Sequence, residues 1–345
     1  MYVEKNFGFK ALMRFTGWHL QYITAWTVFV VVIHEVTHWS WFHIPWLPVS
    51  VIGTAVAFYV GFKNNQAYDR LWEARKIWGA MVNSSRAWGS VVKAYISDQF
   101  TEDEVKKSDL DEIKKRLIYR HIAWLYALRS QLLLPTPWEH ISQSNREGRI
   151  AEARMKTYGV GLLADSVTKI ELDQYLPPCE KEELINYKNT ATQIIDRQSQ
   201  DLAELRRNDI IEDFRHMEMQ NILNDFYIHQ GKAERIKKFP LPRQYGFASL
   251  LFVRIFIFIL PLAMVSEFHE LGTMGTIISI PFTIMISWIF ILMELVGDYS
   301  ENPFEGMGND IPMLSLCRVI EIDLREMLGE TELPPPIEPV DGVLM

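Results

Sequence analysis

The sequence predicts an all-α membrane protein: four transmembrane helices, with a large cytoplasmic helical bundle between the second and the third. Three observations carry this. The apolar residues gather near the two ends of the chain, the charged middle follows helical spacing, and the basic residues flank the apolar runs on one side only.

The first span runs from about Tyr22 to Trp41, and the second is WLPVSVIGTAVAFYVGF, Trp46 to Phe62. The third is FASLLFVRIFIFILPLAMV, Phe247 to Val265, and the fourth runs from about Thr273 to Leu295. Each approaches the ~17–25 residues that cross a ~30 Å hydrocarbon layer. The first and third carry ionisable groups, which suits helices packed around a wet interior. Arg254 in the third span needs a partner, and Glu35 and Glu294 are the acids available within spans.

Topology follows from the loops. WSWFHIPW and SEFHELG contain no Lys or Arg, whereas Lys5, Lys10 and Arg14, then Lys63, Arg70, Arg75 and Lys76, then Lys237, Lys238 and Arg243 flank the spans on the other side. The positive-inside rule places both termini and the long middle in the cytoplasm.

The middle is almost free of strand signals. DLDEIKKRLIYRHIAWLYALRSQLLL and QSQDLAELRRNDIIEDFRHMEMQNILNDFYIHQGKAERI alternate charged and apolar residues at helical spacing. TPWEH and LPPCEKEE break these helices, with Pro177 and Pro178 as stops and the following residues as a first turn. The bundle is expected to continue from the second span and into the third. The tail ELPPPIEPVDGVLM is rich in residues without a backbone donor and reads as an extended segment on a neighbouring surface. The chain thus divides into an N-terminal cytoplasmic segment (1–21), helices one and two (22–62), a cytoplasmic helical domain (63–246), helices three and four (247–296), and a cytoplasmic C-terminal helix with its tail (297–345).

A net charge of −8 over 345 residues, with no basic patch interleaved with aromatics, argues against a nucleic-acid partner. Cys179 and Cys317 stand far apart and fit reduced thiols better than a disulfide framework. The N-terminus lacks the short apolar core and small-residue site of a cleaved signal peptide.

One motif points elsewhere. HEVTH, His34 to His38, places two imidazoles and a glutamate at the spacing of a zinc protease, with Glu35 as the base. Such a site needs a third ligand. Glu294 and Asp298 fall on the cytoplasmic side, roughly 25–30 Å away across a straight helix. His43, His269, Glu267 and Glu270 lie on the correct side but form no third-ligand pattern. His34, Glu35 and His38 therefore read as a decoy at a helix end, with no metal and no cofactor expected and non-catalytic metal binding as the alternative. An intramembrane metalloprotease is the competing enzyme class, and a membrane-anchored scaffold is the third alternative.

Three further segments carry a resemblance. GTAVAFYVGFKNNQAYDRLWEARKIWG starts at Gly53, GKAERIKKFPLPRQY at Gly231, and ENPFEGMGNDIPMLSLCRVIEIDLREML at Glu301. In order, spacing and four-span layout the chain resembles the bacterial branch of the bestrophin family. That resemblance implies a homopentameric ion channel around one axial pore, with membrane lipid around it and small monovalent ions as the permeating partners. Animal members conduct chloride, and a bacterial relative favours cations.

The family's pore neck falls on Thr54, Phe58 and Phe62, and its cytoplasmic exit constriction on Leu241. Positions 54, 58 and 62 form one helical stripe on their own spacing, and apolar rings of that kind gate by dewetting. Periodicity alone leaves open that the phenylalanines pack against neighbouring helices. The motif after the neck comprises Asn64, Tyr68, Arg70, Glu73 and Arg75, where Arg70 has Asp69, Glu73 or a neighbouring acid as an ion-pair partner and a solvated helix face is the alternative. Calcium-regulated members carry an acidic run after N-P-F. Here Glu305 and Asp310 are separated by Gly-Met-Gly-Asn, too few oxygens for a calcium clasp, so Asn302 and Asp310 read as its vestige. Asp310 is expected to cap the helix that follows.

Overall fold

A computed structural model describes residues 1–6, 8–37, 44–101, 105–144, 146–157 and 172–345, with the side chain at 147 set aside. Helices α1 (Phe9–Thr37), α2 (Trp46–Tyr95), α3 (Lys107–Leu132), α4 (Arg146–Thr157) and α5 (Pro178–Ile185) are followed by α6 (Thr190–Arg207), α7 (Asp213–Lys238), α8 (Arg243–His269), α9 (Thr273–Asp298) and α10 (Met313–Met327). Among the described residues the only β pairings are isolated bridges, Tyr2 with Val343 and Val340 with Val343. Four helices, α1, α2, α8 and α9, are long and apolar enough to cross a membrane.

The chain forms two compact units. The first comprises Glu4–Arg70 and Pro240–Glu301. In it α9 packs along both α8 and α1, and α1 also meets α8. Ile23, Val49, Val56, Val60, Val253, Phe256 and Leu260 form its core. Two tryptophans tie α1 in place: Trp26 Nε1 donates to Phe258 O at 3.0 Å, and Trp288 Nε1 to Thr16 Oγ1 at 3.0 Å. Pro261 and Pro281 sit inside helices, as neighbouring helices in a membrane permit.

The second unit comprises Met1–Val3, Leu71–Phe239 and Asn302–Met345. Its core gathers Trp78, Trp88, Trp124 and Phe226 with aliphatic residues of α3, α6, α7 and α10. His121 lies in this core, stacked on Trp124, with Nε2 2.9 Å from Ser85 Oγ. Ser85 itself donates to Met81 O, so His121 is the donor in that contact and is held as the neutral Nε2–H tautomer. Burial lowers its pKa to about 3. Asn189 caps α6 by accepting from Thr192 N–H at 2.9 Å. The tail after α10 is extended: Arg325 Nη2 donates to Glu332 O, and Ser315 N–H to Met345 O at 2.7 Å.

α2 is one helix of 50 residues, about 75 Å long at 1.5 Å per residue. It runs well past Phe62 because Ala67, Leu71, Ala74, Trp78, Met81, Ser85, Trp88 and Val92 keep a buried stripe at spacings of three and four. The expected continuity from the middle into the third span is not found. α7 ends at Lys238 and α8 begins at Arg243, because Pro240 and Pro242 each remove a helix donor between them.

Candidate functional site

The first half of α2 has two dissimilar faces. Val49, Gly53, Val56, Val60, Lys63 and Ala67 are buried, at the spacings of one helical stripe. The opposite stripe leaves Thr54 exposed, Phe58 67% exposed and Phe62 69% exposed. Thr54 Oγ1 donates to Ser50 O at 2.9 Å, which satisfies its hydrogen within the helix and leaves little polarity on that face. The stripe is apolar and uncharged. It can exclude water when narrow, and the Thr54 hydroxyl oxygen, its hydrogen spent on Ser50 O, is left only to accept.

The face is fixed by a residue that sequence reasoning used only for topology. Lys63, directly after Phe62, turns inward and its Nζ lies 2.5 Å from Glu294 Oε1 on α9. Ser249 Oγ on α8 donates to the other carboxylate oxygen at 2.5 Å. Both charged side chains are almost wholly buried, and a buried lysine is stable only with such a partner. The signal was present as an acid within a span and a Lys in the segment that starts at Gly53. Glu294 is thereby taken by Lys63 and is not the partner of Arg254. Arg254 is exposed in the single chain.

The motif after the neck divides by role. Asn64 Nδ2 donates to Met293 O at 3.0 Å, and Gly297 makes room for it, since a Cβ there would lie 2.0 Å from Asn64 Oδ1. Arg70 Nε donates to the Glu301 carbonyl at 2.8 Å, a backbone acceptor in place of the acids considered for it. Arg243 takes the Glu301 carboxylate at 2.8 Å. Burial pushes that carboxyl up, against the pull of Arg243. Glu73 pairs with Arg235 at 2.5 Å, while Tyr68 and Arg75 are exposed.

In the other unit, residues 302–310 close on themselves. Asn302 Nδ2 donates to Glu305 Oε1 at 2.8 Å, and Glu305 Oε2 lies 2.7 Å from His140 Nδ1. Lys237 pairs with Glu139 and donates to Phe304 O at 3.2 Å. Asp310 is not the helix cap: Pro312 holds the N-cap of α10. The Asp310 carboxylate turns back to accept Gly306 N–H at 2.7 Å and Met307 N–H at 3.0 Å. Gly306, at φ +84°, supplies the reversal that aims those donors inward. Burial, reinforced by Glu305, raises the Asp310 pKa to about 7.

Leu241 is 6% exposed in the single chain. His38 and His43 lie outside the described residues. His34 and Glu35 are brought together with His269 at the ends of α1 and α8, a juxtaposition that the spacing of HEVTH does not announce.

The family model for bacterial and fungal bestrophin proteins matches residues 16–326, which takes in the α2 stripe, the Lys63–Glu294 pair and the 302–310 loop. The chain belongs to the bestrophin family. This bestrophin is 28% identical over 293 residues to the voltage-dependent anion channel-forming protein YneE of Escherichia coli K12, covering 85% of this chain and 80% of that one. It is 25% identical over 294 residues to the voltage-dependent anion channel-forming protein mll4386 of Mesorhizobium japonicum, covering 85% and 78%. Its fold matches the crystal structure of a bacterial bestrophin homolog from Klebsiella pneumoniae with a TM-score of 0.71 at 21% identity, over 91% of this chain and 99% of that one. A bestrophin with four helices suited to crossing a bilayer is an integral membrane protein.

Proposed function

We propose that this bestrophin is an ion channel in the bacterial inner membrane, five copies surrounding one axial pore. The second helix of each copy lines a neck of Thr54, Phe58 and Phe62, and the neck closes by dewetting. The observation that carries this reading is the orientation of α2. Lys63 is locked inward by Glu294, so the adjacent Phe62, and Phe58 one turn earlier, project away from their own unit.

The permeating species are small monovalent ions, with anions preferred. The relatives named above are described as anion channel-forming. The phenyl quadrupole supports the same sign, because the ring edge is its positive part. The termini and the charged middle face the cytoplasm, in keeping with basic residues on that side of the spans. The cytoplasmic exit is assigned to the Pro240–Leu241–Pro242 turn. With Leu241 itself buried, the backbone of that turn, more than a freely projecting side chain, would set its width. Asn64, Arg70 and Glu73 hold the helix below the neck, and conduction asks no bond-making of any residue.

Planar-bilayer recording of purified protein tests this directly. Replacing chloride by a large organic anion should shift the reversal potential, while replacing sodium by a large cation should not. The opposite pattern would assign a cation channel, and absence of conductance would remove the channel reading.

A further inference from the structure

The conduction pathway makes no use of the cluster at the C-terminal ends of α1 and α8, and we infer that His34, Glu35 and His269 bind a divalent transition-metal ion of the zinc class. One ligand atom from each of the three lies within 4.8 Å of the others. The rings of His34 and His269 stand edge to face with centroids 4.9 Å apart, at an interplanar angle of 72°. Two imidazoles and one carboxylate form a donor set that zinc takes readily, at about 2.0–2.2 Å per ligand. In a tetrahedral site those bond lengths bring donors to roughly 3.3 Å from one another, so the three need to close by little more than an ångström. His269 is exposed and has room to turn.

Three features favour a cation at this position. Glu35 Oε1 is buried and has no hydrogen-bond donor among the described residues, a costly state for a carboxylate oxygen that a metal bond relieves. α8 ends at His269, so its partly negative carbonyl end lies at the cluster. The buried Thr276 places Oγ1 3.5 Å from His269 Nδ1, the kind of outer contact that orients an imidazole and leaves Nε2 for the metal.

This arrangement is not the protease site suggested by the spacing of HEVTH. There His34 and His38 would bind and Glu35 would act on water. Here Glu35 is a ligand and the second imidazole comes from another helix. The ion would join α1 to α8 as a staple, with no hydrolytic role.

The test uses the full chain, purified in detergent, stripped with chelator and titrated with zinc ions against a chromophoric competitor. Wild type should take up one zinc per chain and melt at a higher temperature with zinc than without. His269→Gln and Glu35→Gln should each weaken binding at least about tenfold and abolish the thermal shift, with elution volume unchanged. His269 is exposed, so its replacement leaves the fold intact. His38→Gln separates the two arrangements. Loss of zinc in His38→Gln with full retention in His269→Gln would overturn the proposal in favour of the HExxH pair. So would a wild type that binds no stoichiometric zinc. Loss in His269→Gln supports it, whether or not His38 also contributes.

Discussion

Lys63 and Glu294, 231 positions apart in the sequence, form a buried ion pair between the second and last membrane helices of the first unit. The pair sets the rotation of α2 about its own axis. A lysine that must face inward forces the residue before it, Phe62, and its helical neighbours Phe58 and Thr54 to face outward. Removing one partner leaves the other charged and buried, at a cost of about 3–5 kcal/mol. Lys63→Met and Glu294→Met should each lower the melting temperature of purified protein markedly. The double variant Lys63→Met/Glu294→Met should regain most of that loss, since an apolar pair of similar volume satisfies the same site. A double-mutant cycle by thermal unfolding reads this, and additive losses would show that the two do not act as a pair.

Gly297 serves the same clamp one turn further along α9. A methyl there would strike Asn64 Oδ1, displacing the amide that donates to Met293 O. Gly297→Ala should destabilise by about 1–3 kcal/mol. Asn64→Ala/Gly297→Ala should be less unstable than the two single losses combined, because the atom struck by the methyl is gone. Thermal unfolding of the four proteins measures it.

Asp310 makes the 302–310 loop sensitive to pH. Its pKa is raised from 3.8 to about 7 in the folded state, chiefly by burial. A raised carboxylate pKa means that the folded chain binds the extra proton. The stabilisation is therefore complete below about pH 4 and is lost as pH rises through 7. Asp310→Asn keeps an oxygen to accept the Gly306 and Met307 N–H groups but does not titrate. Across pH 4–8 the wild type should lose stability relative to Asp310→Asn, by roughly a few kcal/mol in all. Parallel pH profiles for the two proteins would contradict the assignment.

Much of this was legible in sequence. Four apolar runs gave the spans, and the signatures around Gly53 and Glu301 gave the family. The extent of α2 was also written in its residues, as the stripe from Ala67 to Val92, but charged residues between those positions hide it from a hydropathy reading. What could not be read was long-range pairing. Lys63 carries the same signal whether it marks the cytoplasmic side or reaches Glu294. Asp310 stands where a cap would, yet Gly306 turns the loop so that its carboxylate meets Gly306 and Met307 instead. The proximity of His269 to His34 and Glu35 depends on how α8 packs against α1, which no local pattern encodes.

The proposed pore requires assembly, because the exposed face of one α2 encloses nothing by itself. Leu47, Val51, Phe58 and Phe62 of α2 are all exposed in the single protomer. Native mass spectrometry in detergent should give a complex of roughly 200 kDa, five times the 40.3 kDa chain. A monomer or dimer as the sole species would exclude a single axial pore.

The central claim is that the outward stripe of α2 is the barrier to ion flow. A ring of phenyl groups offers too little polar surface to replace an ion's hydration shell, so a narrow ring is dry and closed. Single-channel recording of Phe58→Ala and Phe62→Ala in planar bilayers, under sodium, potassium and chloride gradients, measures this most directly. Each substitution should widen and wet the neck, raising open probability or conductance several-fold while the assembly mass stays unchanged. Wild-type open probability and conductance in both variants would contradict it, because the pore would then run along some other face.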